Sequence, residues 1–424
     1  MQKSYIKNWN ALATTSNRKL ALTIAEAGLD AINTETAISR SVKLQDNILS
    51  VMGKSFDLSK FEKIKVVGFG KASIDTAVAL EKILGPKIKI GAVVGLSKIN
   101  LKYIKTFTGT HPRPSKINIT AGKKIYEIVK DSNAEDLIIV LVSGGGSALL
   151  CYSENECEQN MALYDEFLKY GRTITEINTI RKHFSILKGG GLAKIAYPAT
   201  IIGLIFSDIP GDYFCDVASG PTYKDESTIA DAQKIISKYN LGEFSLLETP
   251  KEDKYFRKVH NFVLVSNKIA IESMAKKTKE LGLKAVVLST KMYDETKIAL
   301  KKIFQAQREN TVVLTAGEPM IKVKKDGGVG GRNLHMGLQA SHMGLIGENS
   351  VFLSFASDGM DNGDVAGAIV DKNTIEKIKK LDLDVNDYIN RFDSYNFFQK
   401  IGDAIITGPT GANVSDLVIL LTKK

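Results

Sequence analysis

The sequence predicts an α/β protein of two domains, and three observations lead there. Apolar strand-length runs, such as Ile64 to Val67 and Leu137 to Val142, alternate with helically spaced segments. That alternation makes parallel sheets covered on both faces. The 424 residues, 44% hydrophobic and 25% charged, are ordinary globular composition but too long for one core, since a domain averages roughly 150 residues. The stretch 240–258 is the most polar and least periodic. It places the boundary there, giving domains of 1–245 and 246–424.

Each element has its own signal. Leu20, Ile24, Ala27 and Ala31 are helically spaced from a cap at Ser16. Ile64 to Val67 reads as a buried strand, then a Gly turn, then a helix that Gly85-Pro86 stops after Leu84. Ile90 to Val94 is the next strand, and Ser115 caps a helix reaching Lys130. After the strand Leu137 to Val142, Thr173 and Glu176 make a capping box for a helix up to about Lys188. Thr200 to Phe206 is a further strand. Strands are then expected near 260–265, 284–289, 311–315, 350–355 and 415–422, with helices over 267–281, 293–308 and 332–343.

Composition excludes several classes. The 57 Lys and Arg exceed the 47 acids by ten, but no like-charge run passes two residues. Clustered charge is what a nucleic-acid tail or polybasic membrane anchor needs, so neither partner is expected, while a diffuse basic field suits a small anionic substrate. No apolar run approaches the ~20 residues of a membrane span, and the start Met1-Gln2-Lys3-Ser4-Tyr5 has no signal-peptide apolar core. Cys151, Cys157 and Cys215 form no even framework, which points to a reducing, cytoplasmic setting.

In such sheets ligands bind where strands end and helices begin. Gly68-Phe69-Gly70-Lys71-Ala72-Ser73 follows the first strand but has Ser73 where a dinucleotide fingerprint has Gly, and Gly95-Leu96 supplies no ribose acid. It is not a Walker A loop either, and Lys71 at a helix start calls for an anion unless it is merely solvated. Ser143-Gly144-Gly145-Gly146-Ser147 spends three glycines after a strand, more than a tight turn needs, and suits backbone contact with phosphate or carboxylate. Arg181 and Lys188, seven apart, form either a substrate-holding stripe or a solvated face.

Two loops share a layout: Ser207-Asp208 with Asp212, and Ser357-Asp358 with Asp361 and Asp364. Their carboxylates fit a Mg²⁺ ligand or a base for a substrate hydroxyl, with an Asx turn as the plainer reading. The turn Ala218-Ser219-Gly220-Pro221-Thr222 is expected to wall the binding cleft. Gly327-Gly328-Val329-Gly330-Gly331-Arg332-Asn333 leads flexible backbone into a guanidinium at a helix start, which suits a phosphoryl group. Glu318 is placed to orient Arg332 or a metal-bound water. Cys151 and Cys157 lack zinc partners, and His335 and His342 lie too far apart for one metal. No Gly-x-Ser-x-Gly elbow marks a serine hydrolase.

These segments resemble the MOFRL-type glycerate 2-kinases. The likeness runs from Gly70-Lys71-Ala72 and the His111-Pro112 turn through Leu141 to Leu150, Ile180-Arg181-Lys182-His183, Lys188-Gly189-Gly190 and Ser207 to Asp212. It continues with Ala218 to Thr222, Gly330-Gly331-Arg332-Asn333, Asp358-Gly359 and Thr407 to Gly411, spanning about residues 64 to 420. The resemblance implies ATP- and Mg²⁺-dependent phosphorylation of D-glycerate at its 2-hydroxyl, giving 2-phosphoglycerate. It implies a Rossmann-like N-terminal domain, a smaller MOFRL-type C-terminal domain and a site in the cleft between them.

Lys71, Asp208 and Arg332 match the family's active-site motifs and are the expected catalytic residues. Ser143, Gly144, Gly145, Gly146, Ser147, Arg181, Lys188, Glu318, Gly330, Gly331 and Asn333 are expected to bind substrate or ATP, and Asp208 and Asp358 to hold the metal. Two positions depart from the family: His335 stands where it has Glu, and Ser357 where it has Thr. An NAD(P)H-dependent hydroxypyruvate reductase and a non-catalytic metabolite sensor are the alternatives. The missing ribose acid opposes the first, and the Asp loops have no use in the second. A homodimer is carried as an expectation that no residue pattern sets.

Overall fold

The computed structural model describes residues 4–170, 174–211, 213–323 and 327–424. Thr173 and Asp212, assigned to a cap and an acidic loop above, lie outside them. The chain divides into two units, one of residues 34–264 and the other of residues 1–33 with 265–424.

The first unit opens with an antiparallel meander, β1 (Val42–Gln45), β2 (Ile48–Val51) and β3 (Lys54–Asp57). Asp46, Met52 and Gly53 take positive φ at its turns. These four-residue strands are too short for their alternation to stand out in sequence. The main sheet contains β4 (Lys63–Phe69), β5 (Ile88–Gly95), β6 (Ile104–Thr108), β7 (Asp136–Ser143), β8 (Thr200–Phe206) and β9 (Val259–Val265). Its order is β6-β5-β4-β7-β8-β9, and the ladders from β6 through β8 are all parallel. Every residue of β7 is buried, as a strand covered on both faces requires. The order reverses direction between β4 and β7, and such a switch point opens a crevice at the strands' carboxyl ends. Helices Ser73–Leu84 and Lys116–Lys130 connect the strands, the second opened by a Ser115–Asn118 capping box. The helix expected to reach Lys188 ends at His183.

The second unit holds β10 (Lys284–Met292), β11 (Thr311–Gly317), β12 (Ser350–Ala356), β13 (Gly367–Val370), β14 (Ala404–Ile405) and β15 (Asp416–Thr422). Here the expectation of a parallel sheet fails. In the order β10-β11-β15-β12-β13-β14 only β10 and β11 pair in parallel. The last strand, β15, inserts antiparallel between β11 and β12, and β12, β13 and β14 follow antiparallel. Parallel neighbours need a crossover of a dozen or more residues, and the link from Ala356 to Gly367 is shorter than that and carries no helix.

The division also differs from the expected 1–245 and 246–424. Helix Ser16–Ile32 belongs with the C-terminal residues: Gly28 lies so close to Met274 that a Cβ there would sit 2.8 Å from its Cγ, and Ser273 Oγ donates to Ala27 O at 2.8 Å. Arg18, fully buried on the apolar face of that helix, donates to Asp371 at 2.8 and 2.7 Å and to Asp403 at 2.9 Å. Burial works to lower the Arg18 pKa, but the two carboxylates overcome it and raise it. The polar stretch near 250 is a strap bonded inward rather than a linker. Thr249 Oγ1 donates to Asp225 Oδ2 at 3.1 Å, and Lys251 Nζ to Asp225 O at 2.8 Å.

Candidate functional site

In the first unit, the ends of β4 and β7 meet at the switch point. Gly70 takes φ +121°, and a Cβ there would fall 2.2 Å from Ser143 Oγ. Ser143 Oγ accepts the Ala72 N–H at 3.1 Å, and Gly144 O accepts the Lys71 N–H at 2.8 Å. The three glycines each admit a protein neighbour. A Cβ at Gly144 would sit 1.9 Å from Asp208 Oδ2, at Gly145 3.2 Å from His111 Nε2 and Lys71 Cγ, and at Gly146 2.5 Å from Ala218 Cβ. The glycine run therefore lets a carboxylate, an imidazole and the Ala218 turn close on one loop. Ala218 and Ser219 hold φ of +52° and +60°, a conformation costing non-glycine residues ~1–3 kcal/mol.

The cations here are the unusual feature. Lys71 is exposed, and no carboxylate among the described residues pairs with it. Arg181 donates from Nε to Asn160 Oδ1 at 3.0 Å and likewise has no carboxylate partner among the described residues. Burial pulls its pKa down to about 10. His111 is held neutral, its pKa lowered to about 4 by burial and by the charges of Lys71 and Arg181. Two unneutralised cations beside a glycine loop are an arrangement that suits an anion.

Lys188 is different, which corrects its assignment to a ligand. It lies beyond the helix that was expected to align it with Arg181, fully buried, and its Nζ donates to Leu150 O at 2.8 Å and Glu156 Oε1 at 2.5 Å. It is a structural ion pair. Ser147 Oγ pairs with Ser219 Oγ at 2.9 Å, and Ser219 donates to Asn178 Oδ1 at 3.0 Å, tying the glycine loop to the Ala218 turn. Ser207 Oγ accepts the Ile209 N–H at 3.3 Å, which shapes the turn carrying Asp208.

The second unit contains a cavity of about 350 Å³ at the ends of β11, β12 and β15, lined by Glu318, Arg332, His335, Asp358, Phe392 and Asp416 among others. Arg332 opens helix Arg332–His342, and the protein supplies its counter-charge. Its Nη1 donates to Glu318 Oε2 at 3.4 Å; its Nε stands 2.9 Å from Asp416 Oδ2, an ion pair by distance without hydrogen-bond alignment. Burial opposes the charge on Arg332, but Asp416 and Glu318 overcome it and raise its pKa. Burial pushes Asp416 up to about 7, against the pull of Arg332. Asp361 accepts the Asn333 N–H at 3.1 Å and the Leu334 N–H at 2.8 Å, capping the helix.

One expectation changes here. Asn333 is sealed away: Nδ2 donates to Asp361 and Asp416, and Oδ1 accepts from Ser354. It aligns the two carboxylates instead of touching a ligand. Gly330 and Gly331 line the cavity and also lie close to protein, since a Cβ would lie 2.2 Å from Ser394 Oγ at the first and 2.3 Å from Asp361 at the second. Asp358 Oδ1 accepts the Met360 N–H at 3.0 Å in an Asx turn. Sequence reasoning gave no role to Asp416, Arg18 or His111. The first two carried a signal, a charge on an otherwise apolar strand or helix face.

Both units match known families. A domain of unknown function (DUF4147) matches residues 20–248, and the MOFRL family matches residues 311–416. The glycerate 2-kinase of Pyrococcus horikoshii is 34% identical over 95% of this chain and 97% of its own length. The chain belongs to the glycerate 2-kinase family. The crystal structure of glycerate kinase from Thermotoga maritima superposes with a TM-score of 0.84 at 31% identity, covering 95% of this chain and 99% of that one. A protein of Agrobacterium vitis, named provisionally as a hydroxypyruvate reductase, is 32% identical over 84% of this chain and 86% of its own. The family match and the observed sheets together give a Rossmann-like N-terminal unit and a MOFRL-type C-terminal unit. No helix among the described residues is long and apolar enough to cross a membrane.

Proposed function

We propose that this chain transfers the γ-phosphoryl group of ATP to the 2-hydroxyl of D-glycerate, giving 2-phospho-D-glycerate and ADP. The observation that carries it is the pair of unneutralised cations, Lys71 and Arg181, around the glycine loop against which Asp208 packs at the switch point. They suit the substrate carboxylate and the charge of the moving phosphoryl group. Asp208 orients the hydroxyl and takes its proton as the new O–P bond forms and the bond to the ADP oxygen breaks. Such a transfer needs mostly positioning and charge stabilisation. Arg332 adds charge stabilisation, but its carboxylate clamp leaves less for a bare anion.

No group of three or more metal-binding side chains occurs among the described residues. Mg²⁺ needs no such group, because one or two carboxylates hold it together with nucleotide phosphates. Asp208 in the first unit or Asp358 in the second would supply such a carboxylate, and the ion would neutralise phosphate charge. A homodimer and a cytoplasmic setting stay part of the proposal.

The test is phosphorus NMR on purified protein with D-glycerate, ATP and Mg²⁺. A 2-phosphoglycerate signal is expected. The 3-isomer would keep the kinase and overturn the regiochemistry; intact ATP would overturn the kinase. The Agrobacterium relative gives the reductase a hearing, but β5 ends in Gly95-Leu96 with no acid for a ribose. No loss of NAD(P)H absorbance with hydroxypyruvate is expected.

A further inference from the structure

The cavity of the second unit is ill suited to glycerate. Its described lining has one guanidinium against the carboxyl groups of Glu318, Asp358, Asp361 and Asp416, and its apolar wall includes Ile321, Met360 and Phe392. A small polar anion has no apolar surface to place there. A nucleoside does, and the volume of about 350 Å³ is within the range of small-molecule pockets.

His335 stands one helical turn after Arg332 and is 3% exposed. Its ring stacks on Phe392 with centroids 5.4 Å apart and planes 15° from parallel. Phe392 holds φ +55°, a left-handed conformation rare for a bulky side chain. That strain keeps an aromatic face beside the imidazole. The His335 Nδ1 is sealed without a hydrogen-bond partner, which leaves Nε2 as the nitrogen open to the cavity. Burial, with Lys297 nearby, lowers the pKa to about 4, so the ring is neutral near pH 7. A sealed N–H without a partner is rarer than a sealed acceptor. On that ground the proton is assigned to Nε2, where it points a donor at the cavity.

We infer that this cavity takes the base and ribose of the nucleotide, and that His335 is a specificity-determining residue that donates from Nε2 to an acceptor on the base. The inference rests on the kinase reading for its substrate, yet it can be tested apart from turnover. The readouts are calorimetric binding of a non-hydrolysable ATP analogue and steady-state KM values for both substrates.

His335→Ala is expected to weaken analogue binding about tenfold, the scale of one hydrogen bond. It should raise the KM for ATP alike and leave the KM for D-glycerate in place, the effect falling on KM rather than kcat. His335→Gln, which keeps a donor, should recover part of the loss. Phe392→Leu tests the same wall should the alanine variant fold poorly, and should also weaken the analogue. A rise in the KM for D-glycerate alone would give the cavity to the acid and overturn the inference. Unchanged binding in all three variants would reduce the pair to packing and overturn it too. Wild-type protein that binds the analogue through His335 but never phosphorylates glycerate would overturn the kinase reading while sustaining this one.

Discussion

The two strand-end regions treat positive charge in opposite ways. In the first unit Lys71 and Arg181 stand beside a glycine loop with no carboxylate partner among the described residues, and desolvation lowers the pKa of the part-buried Arg181. In the second, Arg332 is held by Glu318 and Asp416. A partly desolvated cation such as Arg181 is unfavourable without a counter-ion, so the charge of the first region suits an anion, as the proposed function requires. The second has already neutralised its guanidinium and carries acid in excess, which favours hydroxyls, a base, or phosphate accompanied by a metal ion.

That contrast can be broken by substitution, and the largest expected effect is on stability. Lys188→Met would leave Glu156 buried and unpaired, costing ~3–5 kcal/mol in urea unfolding, with turnover per folded molecule retained. Full stability with lost turnover would return Lys188 to the ligand-binding set. Lys71→Ala should do the reverse. It should lower kcat by ~10²–10³, the scale of one lost charge-stabilising contact, with an unchanged melting temperature because the side chain is exposed. Near-normal turnover would remove the bare-cation argument.

Arg181→Met sharpens the same line. Removing a guanidinium that burial disfavours should leave stability equal or higher, opposite in sign to Lys188→Met. A charge-assisted contact is worth ~1.5–3 kcal/mol, so the KM for D-glycerate should rise roughly tenfold or more. A variant less stable than the wild type would mean that the Asn160 bond holds the fold.

Much of this was legible in the sequence. The strands that became β4, β5, β7 and β8 were visible as apolar runs, and the glycine loops and acids expected at strand ends do lie where strands end. Local pattern could not supply partners. Glu156 lies 32 residues from Lys188 and Asp371 lies 353 from Arg18, so Lys188 read as a ligand group or a solvated residue and Arg18 drew no reading at all. The mixed sheet was hidden for a related reason. An all-buried strand such as β15 looks the same whether its neighbours run parallel or antiparallel. Gly144 was flagged for its flexibility, but that it is needed to admit Asp208 depends on the turn after β8, with Asp208 64 residues further along the chain.

The smallest effect is a slope, and it asks whether the clamp on Arg332 is permanent. Asp416 is buried, and its pKa is raised from 3.8 to about 7. The folded state keeps this proton over a range in which the unfolded chain has released it. Its contribution is therefore fully present below about pH 4, declines as pH rises, and is gone above about pH 7, with at most about 1.4 kcal/mol per pH unit. Asp416→Asn cannot titrate. The stability of wild type minus that of the variant should fall between pH 4 and 7 and then level off. A flat difference would mean that Arg332 keeps Asp416 ionised throughout and the clamp never loosens. The expected slope would mean that acidification frees Arg332 from one of its two carboxylates, moving the second region toward the bare charge of the first.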